Sequence, residues 1–154
     1  MSNPNDDVLA LPNGLSAKSR AELLDETVQQ TNGLVQLLGG EWLDSGSPPS
    51  AFDSTDPSAW RHPDPCDMNG VAEQYSVFIS QVRPIEDPTA VIDRVRSYWK
   101  GLGYAVGQMA GSDADNGHDT QLNVALEHKA ALQFNASTTG MVIWISSECV
   151  AIDG

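Results

Sequence analysis

A chain of 154 residues, 40% of them hydrophobic, has the size of one ordinary domain and enough apolar surface to bury a core. Its 21 acidic residues against 8 basic ones give a formal charge of -13 at pH 7. That balance excludes wrapping a nucleic-acid backbone, because counterion release needs Lys and Arg in numbers. No run of about 18 apolar residues occurs, so no segment reads as a membrane span.

The opening stretch Ser2-Asn3-Pro4-Asn5-Asp6-Asp7 has neither a basic nor an apolar region and is not read as a signal peptide. Polar, Pro-containing termini tether rather than pack, so residues 1–15 are expected to be a disordered tether and residues 16–154 a single domain. Ser19-Arg20-Ala21-Glu22 has the form of a capping box. Leu24, Val28, Thr31, Val35 and Leu38 then recur at three- and four-residue intervals, and Leu23, Thr27, Leu34 and Leu37 widen the stripe. An amphipathic helix is predicted, ending at Gly39-Gly40 and lying on a sheet. Its polar face lacks the Lys and Arg of a membrane-surface helix.

Glu41-Trp42-Leu43 reads as a short extended segment, and residues 44–70, dense in Ser, Pro, Asp and Gly, as a long loop. A connection of that length in a compact domain needs something to hold it, and Trp60, His62 and Cys66 are the candidates. From Ala72 the pattern alternates: Tyr75, Val77 and Ile79 on one face, Gln74, Ser76 and Ser80 on the other, with Phe78 the exception. This predicts a strand ending before Arg83-Pro84. Asp87-Pro88 supplies an N-cap and a first helical residue, with Val91, Ile92, Val95, Tyr98, Trp99 and Leu102 on one helical face and Gly101 and Gly103 as its stop.

Tyr104 to Met109 reads as the next strand, residues 111–119 as a polar connection, and Leu122, Val124 and Leu126 as the inner face of a strand whose outer face holds Gln121, Asn123 and Glu127. After a turn at His128-Lys129, Leu132 and Phe134 face inward, with Gln133 and Asn135 outward. Met141 to Ser147 carries the strongest strand signal. Its two faces, Met141, Ile143, Ile145 and Val142, Trp144, Ser146, both hold apolar side chains and place it centrally in its sheet. Helix, strand, helix and a four-stranded meander give an α+β two-layer sandwich, with two helices on one face of a largely antiparallel sheet of about four to five strands.

No motif reaches the specificity of a catalytic, metal or cofactor site, so the chain is expected to be non-catalytic and to need no cofactor. Asp113, Asp115, Asn116 and Asp119 alternate like calcium ligands, but His118 and Val124 stand where a calcium loop needs Gly and Glu. A solvated loop is expected there. His62, His118 and His128 share no short motif with a cysteine or with one another, so zinc spacing is absent. His118-Asp119 and Ser146-Ser147 come without a nucleophile elbow. Gly101-Leu102-Gly103-Tyr104 follows a helix and lacks a third glycine, which makes it a helix stop and not a phosphate cradle. Asn135-Ala136-Ser137 matches a glycosylation sequon, which in a bacterial host is chance.

Cys66 and Cys149 are the most informative pair. One lies in a loop needing restraint and the other just past a strand, which suits a structural disulfide in an oxidising compartment. Closing a loop of roughly 80 residues stabilises by about 4 to 5 kcal/mol in the chain-entropy treatment. Two buried free thiols of a cytosolic protein are the alternative.

The N-terminal helix, the loop running into Pro63-Asp64-Pro65-Cys66, the helix Val91 to Trp99 ending in Gly101-Leu102-Gly103-Tyr104, and the last strand ending Ser146-Ser147-Glu148-Cys149-Val150 together resemble the mature domain of small actinobacterial secreted lipoproteins, the LppA-like group. The resemblance runs from Ser16 onward. It implies a signal peptide and a lipid-bearing cysteine upstream, a Cys66 to Cys149 disulfide, and an envelope-anchored domain. The expected function is an extracytoplasmic binding or interaction domain for an undefined protein or small ligand, touching membrane only through its anchor. A small acidic cytosolic inhibitor or immunity-type protein, covering a basic partner by charge complementarity, is the other reading.

Overall fold

A computed structural model describes residues 15–44, 50–53, 64–66, 72–110 and 120–151. Helix α1, Arg20–Leu38, begins where the capping box puts it: the Ser19 hydroxyl accepts from the Glu22 amide and the Glu22 carboxylate from the Ser19 amide, each at 3.1 Å. It stops at Gly39, whose φ of 71° turns the chain off the axis. Burial centres on Leu23, Thr27, Thr31 and Leu34, with Leu24, Val28, Val35 and Leu38 only partly covered. The buried line thus lies within the expected stripe, with Thr31 from its main run and Leu23, Thr27 and Leu34 from the residues that widen it. Thr27 tolerates that position because its hydroxyl donates back to the Leu23 carbonyl at 2.7 Å.

Strands β1 (Asp64–Pro65), β2 (Ala72–Gln74) and β3 (Ser76–Val82) precede helix α2, Pro88–Gly101. The Asp87 carboxylate caps α2 by accepting from the Ala90 amide at 3.1 Å, and Ile92, Val95 and Trp99 bury its inner face. Leu102, expected on that face, falls at the C-cap and is exposed. Strand β4 covers Gly107–Ala110, beginning later than Tyr104, and β5 (Thr120–Ala125), β6 (Ala131–Ser137), β7 (Gly140–Ser146) and β8 (Val150–Ala151) complete the chain.

The main sheet has the order β3-β7-β6-β5-β4, every neighbouring pair antiparallel. Helix α2 carries the chain from β3 at one edge to β4 at the other. Both helices lie on the same face, where Leu34, Ile92, Val95 and Trp99 meet Ile79, Leu122, Leu132, Phe134, Ile143 and Ile145. The α+β two-layer sandwich expected from the sequence is the observed architecture. Strand β7 lies between β3 and β6, but only its Met141, Ile143 and Ile145 side is covered: Trp144, on the other side, remains 46% exposed.

A second sheet, β1-β2-β8, arises because the run from Ala72 is broken at Tyr75. Tyr75 donates its amide to the Ser147 hydroxyl at 2.9 Å and accepts from the Ser147 amide at 2.7 Å. Ser147 thus hands the β3–β7 ladder over to β2–β8, and its burial is compensated by these bonds. Leu43, just before the long loop, bridges Ser80 and the loop's Ala51, and β1 within the loop pairs with β2. Trp60 and His62 lie outside the described residues, as do residues 1–14 of the segment read as a tether. Leu15, expected to end the tether, is instead buried against Ala72 and Cys149, because an apolar side chain finds a place beside the disulfide.

Candidate functional site

Three groupings of chemistry-bearing residues emerge from this fold. The first surrounds Cys149, which is buried and joined by a disulfide to Cys66, their Cα atoms 6.2 Å apart. Its carbonyl accepts from the Ser16 amide at 2.7 Å and its amide donates to the His128 carbonyl at 2.8 Å. The Cys66 carbonyl in turn accepts from Lys129 Nζ at 3.2 Å. One residue thereby fastens the start of α1, the β5–β6 turn and the loop carrying β1. This is structural chemistry.

The second is a cavity of about 370 Å³ bounded by Lys18, Glu26, Gln29, Gln30, Tyr104, Glu127 and Glu148. Lys18 Nζ lies 2.9 Å from Glu26 and 2.8 Å from Glu148. Hydrogen bonds to Glu148 and then Glu26 hold its ammonium well above the usual lysine range, against the opposing effect of burial. Burial pushes the Glu148 carboxyl up, but hydrogen bonds from Lys18 and Ser16, with the charges of Lys18 and His128, outweigh it and leave the group below its ordinary value. A lysine held this firmly protonated is a poor nucleophile or base at neutral pH. The cluster clamps α1 to the β7–β8 connection.

The third grouping is the face of the main sheet that the helices leave open. Alternation and register settle which residues share it: Phe78 on β3 stands opposite Trp144 on β7, Trp144 opposite Gln133 on β6, and Gln133 opposite Asn123 on β5. A parallel row runs Ser80, Val142, Asn135, Gln121. The Phe78 and Trp144 rings meet edge to face, centroids 5.8 Å apart. Gln121 Nε2 donates to Asn123 Oδ1 at 2.8 Å, so part of the amide block is already oriented. Phe78, Trp144, Val142, Gln121, Gln133 and Asn135 line a cavity of about 290 Å³, near the lower end of the roughly 300–1,000 Å³ typical of small-ligand sites.

Every outward position of β3, β5, β6 and β7 is uncharged, although the chain as a whole carries 29 formal charges of both signs, 21 acidic and 8 basic. Sequence reasoning placed Gln121, Asn123, Gln133 and Asn135 outward and marked Phe78 as an exception, but did not bring them together as a site. Amides at alternate positions with no charge among them were the available signal.

The remaining sequence candidates do not converge. His118 and the acidic run 113–119 lie outside the described residues, while His128 sits in a one-turn 3-10 helix, Glu127–Lys129, with a φ of 52°. Among the described residues no group of three His, Cys, Asp or Glu side chains is placed to hold a metal ion. Ser146 and Asn135 are on the open face, and Ser147 is consumed at the strand junction. No helix among the described residues is long and apolar enough to cross a membrane.

No protein-family model matches the sequence, and no curated protein matches it. Among solved structures the chain is similar in fold to a DUF4853 family protein from Actinomyces odontolyticus ATCC 17982, at a TM-score of 0.53 and 15% identity over 94% of this chain and 73% of that one.

Proposed function

We propose that this is a non-catalytic binding domain of the cell envelope, displayed outside the cytoplasm and presenting the open face of its main sheet to a ligand. The observation that carries the reading is that face: two aromatic rings and a block of amides, half-exposed, with charge kept off every outward position. A sheet face with nothing to bind is ordinarily solvated by charged side chains, which this acidic chain has in abundance. The Cys66–Cys149 disulfide supports the compartment, because such bonds are rare in a reducing cytosol. The resemblance to LppA-like lipoproteins agrees with it and adds a lipid anchor upstream of the domain.

The test is to fuse the gene, with its native upstream codons, to a reporter active only after export, and to count alkylatable thiols in the denatured, non-reduced product. Export and no reactive thiol are expected. Retention in the cytosol with two reactive thiols would overturn the reading in favour of an acidic cytosolic inhibitor, for which the charge of -13 would then be the relevant property.

A further inference from the structure

We infer that the open sheet face is a glycan-binding surface whose ligand is the neutral segment of an envelope polysaccharide. The inference rests on the envelope-binding reading above and adds the chemical class of the ligand. It follows from what the face offers and what it withholds. Gln121, Asn123, Gln133 and Asn135 form a two-by-two block on adjacent strands, since Asn123 stands opposite Gln133 and Gln121 opposite Asn135. An amide carries a carbonyl acceptor and two N–H donors side by side, and the bond from Gln121 to Asn123 leaves the Gln121 carbonyl and both Asn123 N–H groups for a ligand. A vicinal diol, with its own donors and acceptors about as closely spaced, matches that pattern.

Beside the block stand Trp144 and Phe78, half-exposed and edge to face, an arrangement that does not consume both faces of either ring. A pyranose ring lays its C–H face on such a surface while its hydroxyls reach sideways to the amides. The row from Phe78 to Asn123 crosses three strand spacings, roughly 14 Å, so the platform suits a chain of sugars better than a single one.

Other ligand classes fit less well. A nucleic acid or an anionic polymer would need Lys or Arg, which none of the described outward strand positions supplies, and would meet a chain of charge -13. A protein interface draws its core from clustered aromatics, Met and Arg, whereas four amides occupy the centre of this face. A cationic ligand would find no carboxylate at the described outward strand positions.

The experiment is an NMR titration of the intact domain with neutral oligosaccharides (maltohexaose, cellohexaose, mannohexaose and a linear galactan fragment), with hyaluronan hexasaccharide and a mixed hexapeptide library as contrasts. Sedimentation of the free protein accompanies it. The expected result is saturable shifts confined to β3, β5, β6 and β7 with at least one neutral glycan, weakened tenfold or more by Trp144→Ala and by Gln133→Ala, with both variants melting close to the parent. Absence of binding to every neutral glycan at millimolar concentration would overturn the inference. So would binding unchanged by both substitutions, or a preference for hyaluronan. Shifts on the same face with peptide alone, or concentration-dependent dimers dissociated by Trp144→Ala, would overturn the glycan while leaving the face a binding surface.

Discussion

Trp144 stands directly across the β3–β7 ladder from Phe78, and the two rings meet at an interplanar angle of 74° on the side of the sheet away from both helices. An edge-to-face pair adds about 0.5 to 1.5 kcal/mol beyond area burial, and half-exposure puts this one at the lower end. A double-mutant cycle with Phe78→Ala and Trp144→Ala, read by urea denaturation, should give a coupling of about 0.5 kcal/mol. A coupling of several kcal/mol would make the pair a structural element and weaken its assignment to ligand binding.

The layering of the fold predicts opposite outcomes for two substitutions of similar chemistry. Val95 is fully buried between α2 and the sheet, so Val95→Asp places an unpaired carboxylate in the core and should leave the domain unfolded at 25 °C. Asn123 lies on the open face, where its side-chain oxygen accepts from Gln121, a role a carboxylate keeps. Asn123→Asp should shift stability by no more than about 0.5 kcal/mol. Far-UV circular dichroism and denaturant midpoints separate the two.

Gly140 begins β7 against the backbone of β3. A Cβ there would run into the Gln81 carbonyl oxygen and crowd the Val82 Cα, neither of which moves without parting the ladder. Gly140→Ala should therefore cost about 1 to 3 kcal/mol. Gly101, at the end of α2 with open space where a Cβ would go, is the control: Gly101→Ala should be neutral or stabilising by up to about 1 kcal/mol. Equal midpoints for the two variants would contradict the register of the β3–β7 pair.

Much of this architecture was legible because local chemistry and tertiary contacts agree. Ser19 with Glu22 and Asp87 with Pro88 start the helices where their side chains satisfy free amides. Alternation in β5 and β6 names Leu122, Val124, Leu132 and Phe134 as core. What was not legible depends on long-range bonds. The break at Tyr75 is made by Ser147, 72 positions away, and periodicity has no access to that hydrogen bond. The apolar residues on both sides of β7 fitted a strand covered on both faces. Only the topology, with both helices on one side, exposes Trp144 and turns the second face into a candidate site.

The Lys18–Glu148 pair predicts an acid-side loss of stability. Glu148 titrates below its usual 4.5 in the folded protein, so its contribution is present above that pH and is lost as pH falls through the lower folded value. Lys18 titrates above its usual 10.5, so its contribution is complete below that pH and is lost only at more alkaline pH. Glu148→Gln should cost about 1 kcal/mol or less at neutral pH, because Lys18 is 40% exposed and solvent screens the pair. The gap between variant and parent should close as pH falls below 4.5. Denaturant midpoints above and below that pH measure it, and a gap that widens toward acid would reverse the sign assigned to Glu148.

The disulfide carries the largest single contribution available to a test. It joins residues 83 positions apart, for which the loss of unfolded-state freedom is worth about 4 to 5 kcal/mol. A domain of this size loses roughly 2 to 4 °C of melting temperature per kcal/mol, so reduction should lower Tm by about 10 °C or more. The loss should also be local. Cys66 lies next to β1, and Cys149 precedes β8, so freeing them releases the small sheet and the Ser16–Cys149 bond before it reaches β5, β6 and β7. Hydrogen exchange of the reduced protein, or of a Cys66→Ala/Cys149→Ala double variant, should show faster exchange in β1, β2 and β8 while the central strands stay protected. An unchanged Tm on reduction, or equal deprotection of both sheets, would mean that the bond does not hold the loop to the domain.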